Sequence, residues 1–134
     1  MISAVPRSAA EAKQLQPLML AYIGDAVYEL RVREQLLDAH MGRMPLIHRA
    51  AVRLVNAECQ SRLYDLLTPL LSEEEAAILR RGRNAKSGHQ PPTASPAVYR
   101  RATGVEALFG YWFLIGAQDR LDQAFDLLFS MPEE

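Results

Sequence analysis

Between Leu18 and Leu37 apolar residues return every three or four positions, at Leu18, Tyr22, Val27 and Leu30, with Glu29, Arg31, Arg33 and Glu34 between them. That spacing predicts one long amphipathic helix. A second stripe, Leu46, Ile47, Ala50, Ala51, Leu54 and Val55, starts behind Pro45, which suits a first helical turn, and runs on towards Leu66 and Leu67. Ser72 followed by Glu73, Glu74 and Glu75 is a capping-box signature, opening a helix expected to fail near Gly82. Helical period returns from Val98 to Ile115 through Ala102, Val105, Leu108, Phe109 and Trp112, and Arg120 to Phe129 reads as a last amphipathic helix. The stretch 82–97, containing GRNAKSGHQPPTASP, has no apolar period and reads as a loop. Loops of that length inside compact domains are often functional. No segment alternates strictly enough for a strand, and no internal repeat is present, so the expected fold class is all-α.

At 134 residues the chain has the length of one domain, with a core expected over about 15–129. A formal net charge of -1 gives no global sign of polyanion binding, so any nucleic-acid reading has to rest on local charge. The N-terminus lacks a signal-peptide run, and nowhere do about 18 apolar residues follow one another. A soluble, cytoplasmic protein without a membrane partner is expected. Cys59, the one cysteine, excludes an intramolecular disulfide and a thiolate zinc site; at helical spacing from Val55 and Leu63 it reads as a core thiol.

Charge is sorted by position. From Ala76 to Val105 there is no acid, while Arg80, Arg81, Arg83, Lys86, Arg100 and Arg101 supply bases. Ala39 to Ala57 is acid-free as well, with Arg43, Arg49, Arg53, His40 and His48, and the tail from Glu106 is acidic apart from Arg120. A basic, glycine-containing loop suits a phosphate backbone, because arginine forks onto phosphate and glycine lets the main chain approach. The competing reading is a solvated loop whose arginines pair with the acidic tail.

Two carboxylates interrupt apolar runs: Asp25, behind Gly24 in LMLAYIGDAVY, and Glu106 in ATGVEALFGYWFL. A mid-helix glycine costs roughly 1 kcal/mol against alanine and implies a close helix approach or a nearby ligand. A carboxylate among apolar neighbours finds a cation, a proton or a metal. A salt bridge to Arg100 or Arg31 would serve; so would magnesium, which takes one or two carboxylates and completes its shell with water and phosphate. His40, His48 and His89 lack metal-ligand spacing, and no GxSxG, P-loop, GxGxxG or CxxC pattern is present.

AYIGDAVYELRVRE at Ala21–Glu34 resembles the ribonuclease III signature, and LRRGRNAKSG at Leu79–Gly88 and YRRATGVEALFGYWFL at Tyr99–Leu114 are similar to the later segments of mini-ribonuclease III. The resemblance runs from about Leu15 to Phe129. It implies the ribonuclease III endonuclease-domain helical fold, acting as a homodimer without an appended double-stranded-RNA-binding domain. It makes Asp25 and Glu106 the catalytic, metal-binding pair for Mg2+, with Mn2+ as an alternative ion. Tyr22, at the signature's aromatic position, becomes a dimer contact, against a simpler reading as core packing. Arg80, Arg81, Arg83, Asn84, Lys86 and Arg100 become RNA-binding residues.

The sequence departs from the larger enzymes at Ala21 and Thr103, where they carry a glutamate and an aspartate; mini-ribonuclease III members share that reduced set. Glu58 aligns approximately with a glutamate of the family's middle helix, as a supporting or structural residue. The implied activity is magnesium-dependent cleavage of double-stranded RNA, in maturation of precursor 23S ribosomal RNA, in some members with a large-subunit ribosomal protein. Two rivals stay open. One is a non-catalytic double-stranded-RNA-binding or ribosome-associated protein of the same fold, and the other is a helical protein-interaction module.

Overall fold

A computed structural model describes residues 2–39, 42–86 and 95–132. Seven α-helices follow one another: α1 (Ala9–Lys13), α2 (Pro17–Ala39), α3 (Met44–Val55), α4 (Ala57–Leu67), α5 (Glu73–Asn84), α6 (Pro96–Ile115) and α7 (Gln118–Ser130), with a 3-10 turn at Thr68–Leu70. No strand occurs among the described residues, as the sequence pattern predicts. None of these helices is long and apolar enough to cross a membrane.

The local chemistry sets most helix ends. Ser72 and Glu75 close a capping box at the start of α5, and Ser8 with Glu11 does the same for α1, which the periodicity misses because that helix is a single turn or so. Ser95 accepts from the Val98 amide ahead of Pro96, and α6 stops at Gly116, whose φ of 75° is the left-handed conformation that glycine adopts without strain.

Three boundaries correct the sequence reading. The stripe from Leu46 does not run through to Leu67, because Asn56 leaves helical geometry (ψ 160°) and its side chain accepts from the Cys59 amide, so α3 ends and α4 begins there. The helix opened by Ser72 does not fail at Gly82 but continues to Asn84. Gly82 is a contact position, where an added Cβ would meet the Ala107 Cβ at 2.7 Å and the Gly104 Cα at 2.9 Å. The expected 82–97 loop is therefore helical at both edges, and 87–94 of it, with His89, lies outside the described residues, as does His40.

Helix α6 is the axis of the molecule: α2, α4 and α5 all pack on it, and Val105, Ala107, Leu108, Phe109 and Trp112 are inaccessible or nearly so. Tyr28, Phe109, Trp112 and Phe125 form an aromatic cluster with ring centroids 5.1 to 5.7 Å apart in its closest pairs. Cys59 is buried in the same core, as its spacing predicts.

Candidate active site

The crossing of α2 over α6 is made by glycines. A Cβ on Gly24 would collide with the Glu106 carbonyl oxygen, and one on Gly110 with the Leu20 carbonyl oxygen. Only glycine allows the two backbones to touch, which explains the helix-weakening Gly24. Asp25 follows directly, exposed at the margin between the outward face of α2 and its α6-packed face. Its carboxylate reaches the half-buried carboxyl of Glu106. Glu29, one turn further along α2, adds negative charge, and the buried Gln60 side chain approaches Glu106 from α4 and favours its charged form.

Burial pushes the Glu106 carboxyl up, the contact with Asp25 pushes it further, and Gln60 offsets only part of this, so it stands at about 9. Two acids brought together in this way need a shared proton or a cation. No arginine or lysine among the described residues forms an ion pair with either. Arg31, one of the partners the sequence left open, instead meets Asp122 at 3.0 Å and lies over the Phe125 ring. The pair fits a divalent ion: its donors are hard carboxylate oxygens, and among the described residues no arginine or lysine compensates its charge. No cage of three or more His, Cys, Asp or Glu side chains forms among the described residues. Most coordination positions would thus fall to water and phosphate, the manner in which magnesium is usually held.

The two positions at which the sequence departs from the resemblance's fuller set of acids are closed here. Ala21 is buried, and Thr103 is buried with its hydroxyl donating to the Tyr99 carbonyl at 3.0 Å. Glu58 is exposed. It lines a cavity of about 510 Å³ between α2, α3, α4 and α7, together with Arg53 and Arg62.

The basic residues separate into three kinds. Arg80, Lys86 and Arg100 are exposed, and no ion pair among the described residues holds them. Arg81 is committed to structure, donating to the Lys13 carbonyl at 2.9 Å and the Leu15 carbonyl at 3.3 Å, which ties α5 to the end of α1. Arg83 and Arg101 are half-buried and anchored on α4: Arg83 Nη1 donates to the Tyr64 hydroxyl at 3.0 Å, and Arg101 Nε to the Ser61 hydroxyl at 2.7 Å. Arg83 Nε also donates to Asn84 Oδ1 at 3.1 Å. None of these arginines pairs with the acidic tail among the described residues; there, Arg120 turns back to Glu75 of α5. Tyr22 is 80% exposed, so the alternative of core packing is excluded.

Sequence reasoning did not single out Glu29 and Gln60, which lie by the acid pair, or Ser61, Tyr64 and Arg101, whose hydrogen bonds join α4 to α5 and α6. A signal was present for two of them. Gln60 and Tyr64 share the helical period of Leu63 and Leu67, which places polar groups on the inward face of α4, whereas Ser61, two residues before Leu63, falls off that stripe.

A family model described as Ribonuclease III domain matches residues 18–116, the span from the start of α2 to the end of α6. The chain is similar to Mini-ribonuclease 3 of Symbiobacterium thermophilum, 48% identical over 81% of this chain and 84% of that protein. It is also similar to Mini-ribonuclease 3 of Synechococcus, 47% identical over 83% of this chain and 79% of that one. A crystal structure of a Fusobacterium nucleatum protein superposes with a TM-score of 0.79 at 28% identity, over 87% of this chain and 93% of the other. The stretch that the family model matches holds the glycine crossing and both acids, and the chain accordingly belongs to the mini-ribonuclease III family and is an endoribonuclease of ribonuclease III type.

Proposed function

We propose that the protein is a magnesium-dependent endonuclease of double-stranded RNA in which Asp25 and Glu106 hold the metal. The observation that carries this reading is the contact of two carboxyls, with no arginine or lysine among the described residues paired to them, at a helix crossing that only glycine permits. When bound, the ion supplies activation of the attacking water and stabilisation of charge on the phosphate and the leaving oxygen. The chain's own part is positional. The crossing fixes the main chain of Glu106 against Gly24, and Gln60 reaches the Glu106 carboxyl from α4. The bases on α5 and α6 offer donors to the substrate backbone: Arg80, Arg83, Lys86 and Arg100 with their charge unspent by carboxylates among the described residues, Asn84 beside Arg83, and Arg81 with what its ties to α1 leave over.

Double-stranded RNA hides its base edges in a deep, narrow major groove, so recognition is mainly by shape, phosphate and 2′-hydroxyl contacts. The working form is a homodimer. Tyr22 stands with exposed Met19, Leu30 and Leu37 on the outward side of α2, an apolar stripe that a second copy would cover, and Tyr22 lies one turn from Asp25. Two sites on one duplex then cut both strands. Precursor 23S ribosomal RNA, with a large-subunit ribosomal protein bound to it, is the substrate that the sequence resemblance implies, and the cytoplasm is the compartment; Mn2+ would replace Mg2+.

The test is incubation with a long RNA duplex, and with each of its single strands, in magnesium or in chelator. The duplex is expected to be cut in magnesium alone. Binding without cutting would replace this reading with a non-catalytic RNA-binding one, and neither binding nor cutting would leave a protein-interaction module.

A further inference from the structure

Ser61 and Tyr64 are both buried and stand about 4.5 Å apart along the axis of α4, on the side that packs against α6. Each hydroxyl accepts from an arginine, Ser61 from Arg101 Nε and Tyr64 from Arg83 Nη1. Gln60, beside Ser61, reaches Glu106. One side of one helix thus addresses an acid of the metal pair and two guanidiniums. Arg101 lies five residues before Glu106, about 7.5 Å along α6 and about 140° round its axis. At Gly104 the three helices close up: an added Cβ would lie 2.8 Å from the Leu79 carbonyl oxygen, 3.3 Å from the Arg83 main-chain nitrogen and 3.4 Å from the Tyr64 ring. That packing leaves the end of α5, and with it Arg83, little room to shift.

The anchors differ in kind from those of the structural arginines. Arg31 and Arg120 meet carboxylates, which neutralise them. A hydroxyl is a neutral acceptor, so it fixes a guanidinium and leaves the charge available. For Arg101 the bond to Ser61 uses Nε, and both terminal nitrogens stay open among the described residues. Those two donors form a fork that matches two phosphate oxygens. A solvated arginine such as Arg80 or Arg100 has to give up rotamer freedom when it meets a phosphate, whereas an anchored one has already done so.

We propose that Arg101 and Arg83, held by Ser61 and Tyr64, are the phosphate-binding pair that seats the RNA backbone beside Asp25 and Glu106, and that Ser61 and Tyr64 are positioning residues for it. This rests on the reading of the site as an RNA phosphodiester hydrolase. Arg80 and Arg100, by contrast, contribute attraction without placing the strand.

The experiment compares the full chain with Arg101→Gln, Arg101→Lys, Ser61→Ala, Tyr64→Phe and Arg80→Gln. It measures single-turnover cleavage of a defined duplex at saturating protein in magnesium, and the salt dependence of binding to the same duplex in chelator. Arg101→Gln should lower the slope of log affinity against log salt by about one and also slow cleavage, because it removes both a phosphate contact and its geometry. Ser61→Ala and Arg101→Lys keep the charge, so their slopes should match wild type while cleavage slows about tenfold, the loss of one positioning hydrogen bond. Tyr64→Phe keeps the ring in the core and tests Arg83 in the same way. Arg80→Gln should lower the slope by about one, as the loss of one phosphate contact does. Cutting by wild type together with undiminished cutting by Arg101→Gln and Ser61→Ala would overturn the pair alone. Failure of wild type to cut would remove both this inference and the function on which it rests.

Discussion

Glu75 and Glu106 are glutamates of neighbouring helices, both turned towards the interior, and the protein treats them in opposite ways. At Glu75 burial pushes the carboxyl up, but hydrogen bonds from Arg120, the Ser72 main chain and Trp112 outweigh it and hold the group down at about 2. Arg120 Nε and Nη2 reach its two oxygens at 2.8 and 2.7 Å, and Trp112 Nε1 donates at 2.8 Å. At Glu106 burial acts in the same direction, yet the closest charged neighbour is another acid, and the carboxyl stands at about 9. The first environment is complete in the protein alone and joins α5, α6 and α7. The second is incomplete until a proton or a cation arrives. On the proposed reading, a structural carboxylate and a metal-binding one are told apart by whether the fold supplies the countercharge.

The harshest way to break the comparison is Gly24→Val, which drives a branched side chain into the Glu106 carbonyl and separates the acids while leaving Glu75 intact. A loss of at least about 3 kcal/mol in urea unfolding, with loss of cleavage, is expected. Arg120→Met leaves Glu75 without its cation and should cost about 2–4 kcal/mol at pH 7. That is somewhat less than for a fully buried pair, because the Arg120 side chain is 32% exposed.

The acid limb of wild-type stability follows from the depressed Glu75. Its contribution is present above the ordinary value of 4.5 and is lost as pH falls from there towards about 2. Discounted for the partial exposure of Arg120, the loss is about 1–3 kcal/mol, readable by thermal melts between pH 5 and 2 and absent in Glu75→Gln. The smallest effect is at Glu106, where the sign reverses. Its folded value lies above 4.5, so stability present below pH 4.5 is lost as pH rises towards 9 in metal-free protein. Glu106→Gln stays neutral and should be about 1–2 kcal/mol more stable than wild type in chelator at pH 8, with the difference vanishing near pH 4.5. A variant that is destabilised there would mean that Glu106 contributes to the fold as Glu75 does.

The sequence made one half of this contrast legible. Gly24, Asp25 and Glu106 stand out because each violates the pattern around it, and patterns are broken where function or close packing outweighs local preference. The spans of α2 and α6 were readable for the complementary reason, since their apolar periods are long. Glu75 was readable as a cap but not as the partner of Arg120, because the two are far apart in sequence and no local rule joins them. The same limit hid Arg101 on Ser61 and Arg81 on α1, which look in the sequence like any other members of a basic run. Asn56 and Ser8 are different. Their capping chemistry is local, and the apolar stripe that crosses Asn56 simply masks it.

Manganese binding, followed by electron paramagnetic resonance at pH 8, tests the assignment of Asp25 and Glu106 most directly. Wild type and Glu75→Gln are expected to bind the ion and to gain thermal stability from it, whereas Asp25→Asn and Glu106→Gln should bind at least about tenfold more weakly and gain little. Equal binding by all four proteins, or loss in Glu75→Gln alone, would contradict the account and place the metal elsewhere.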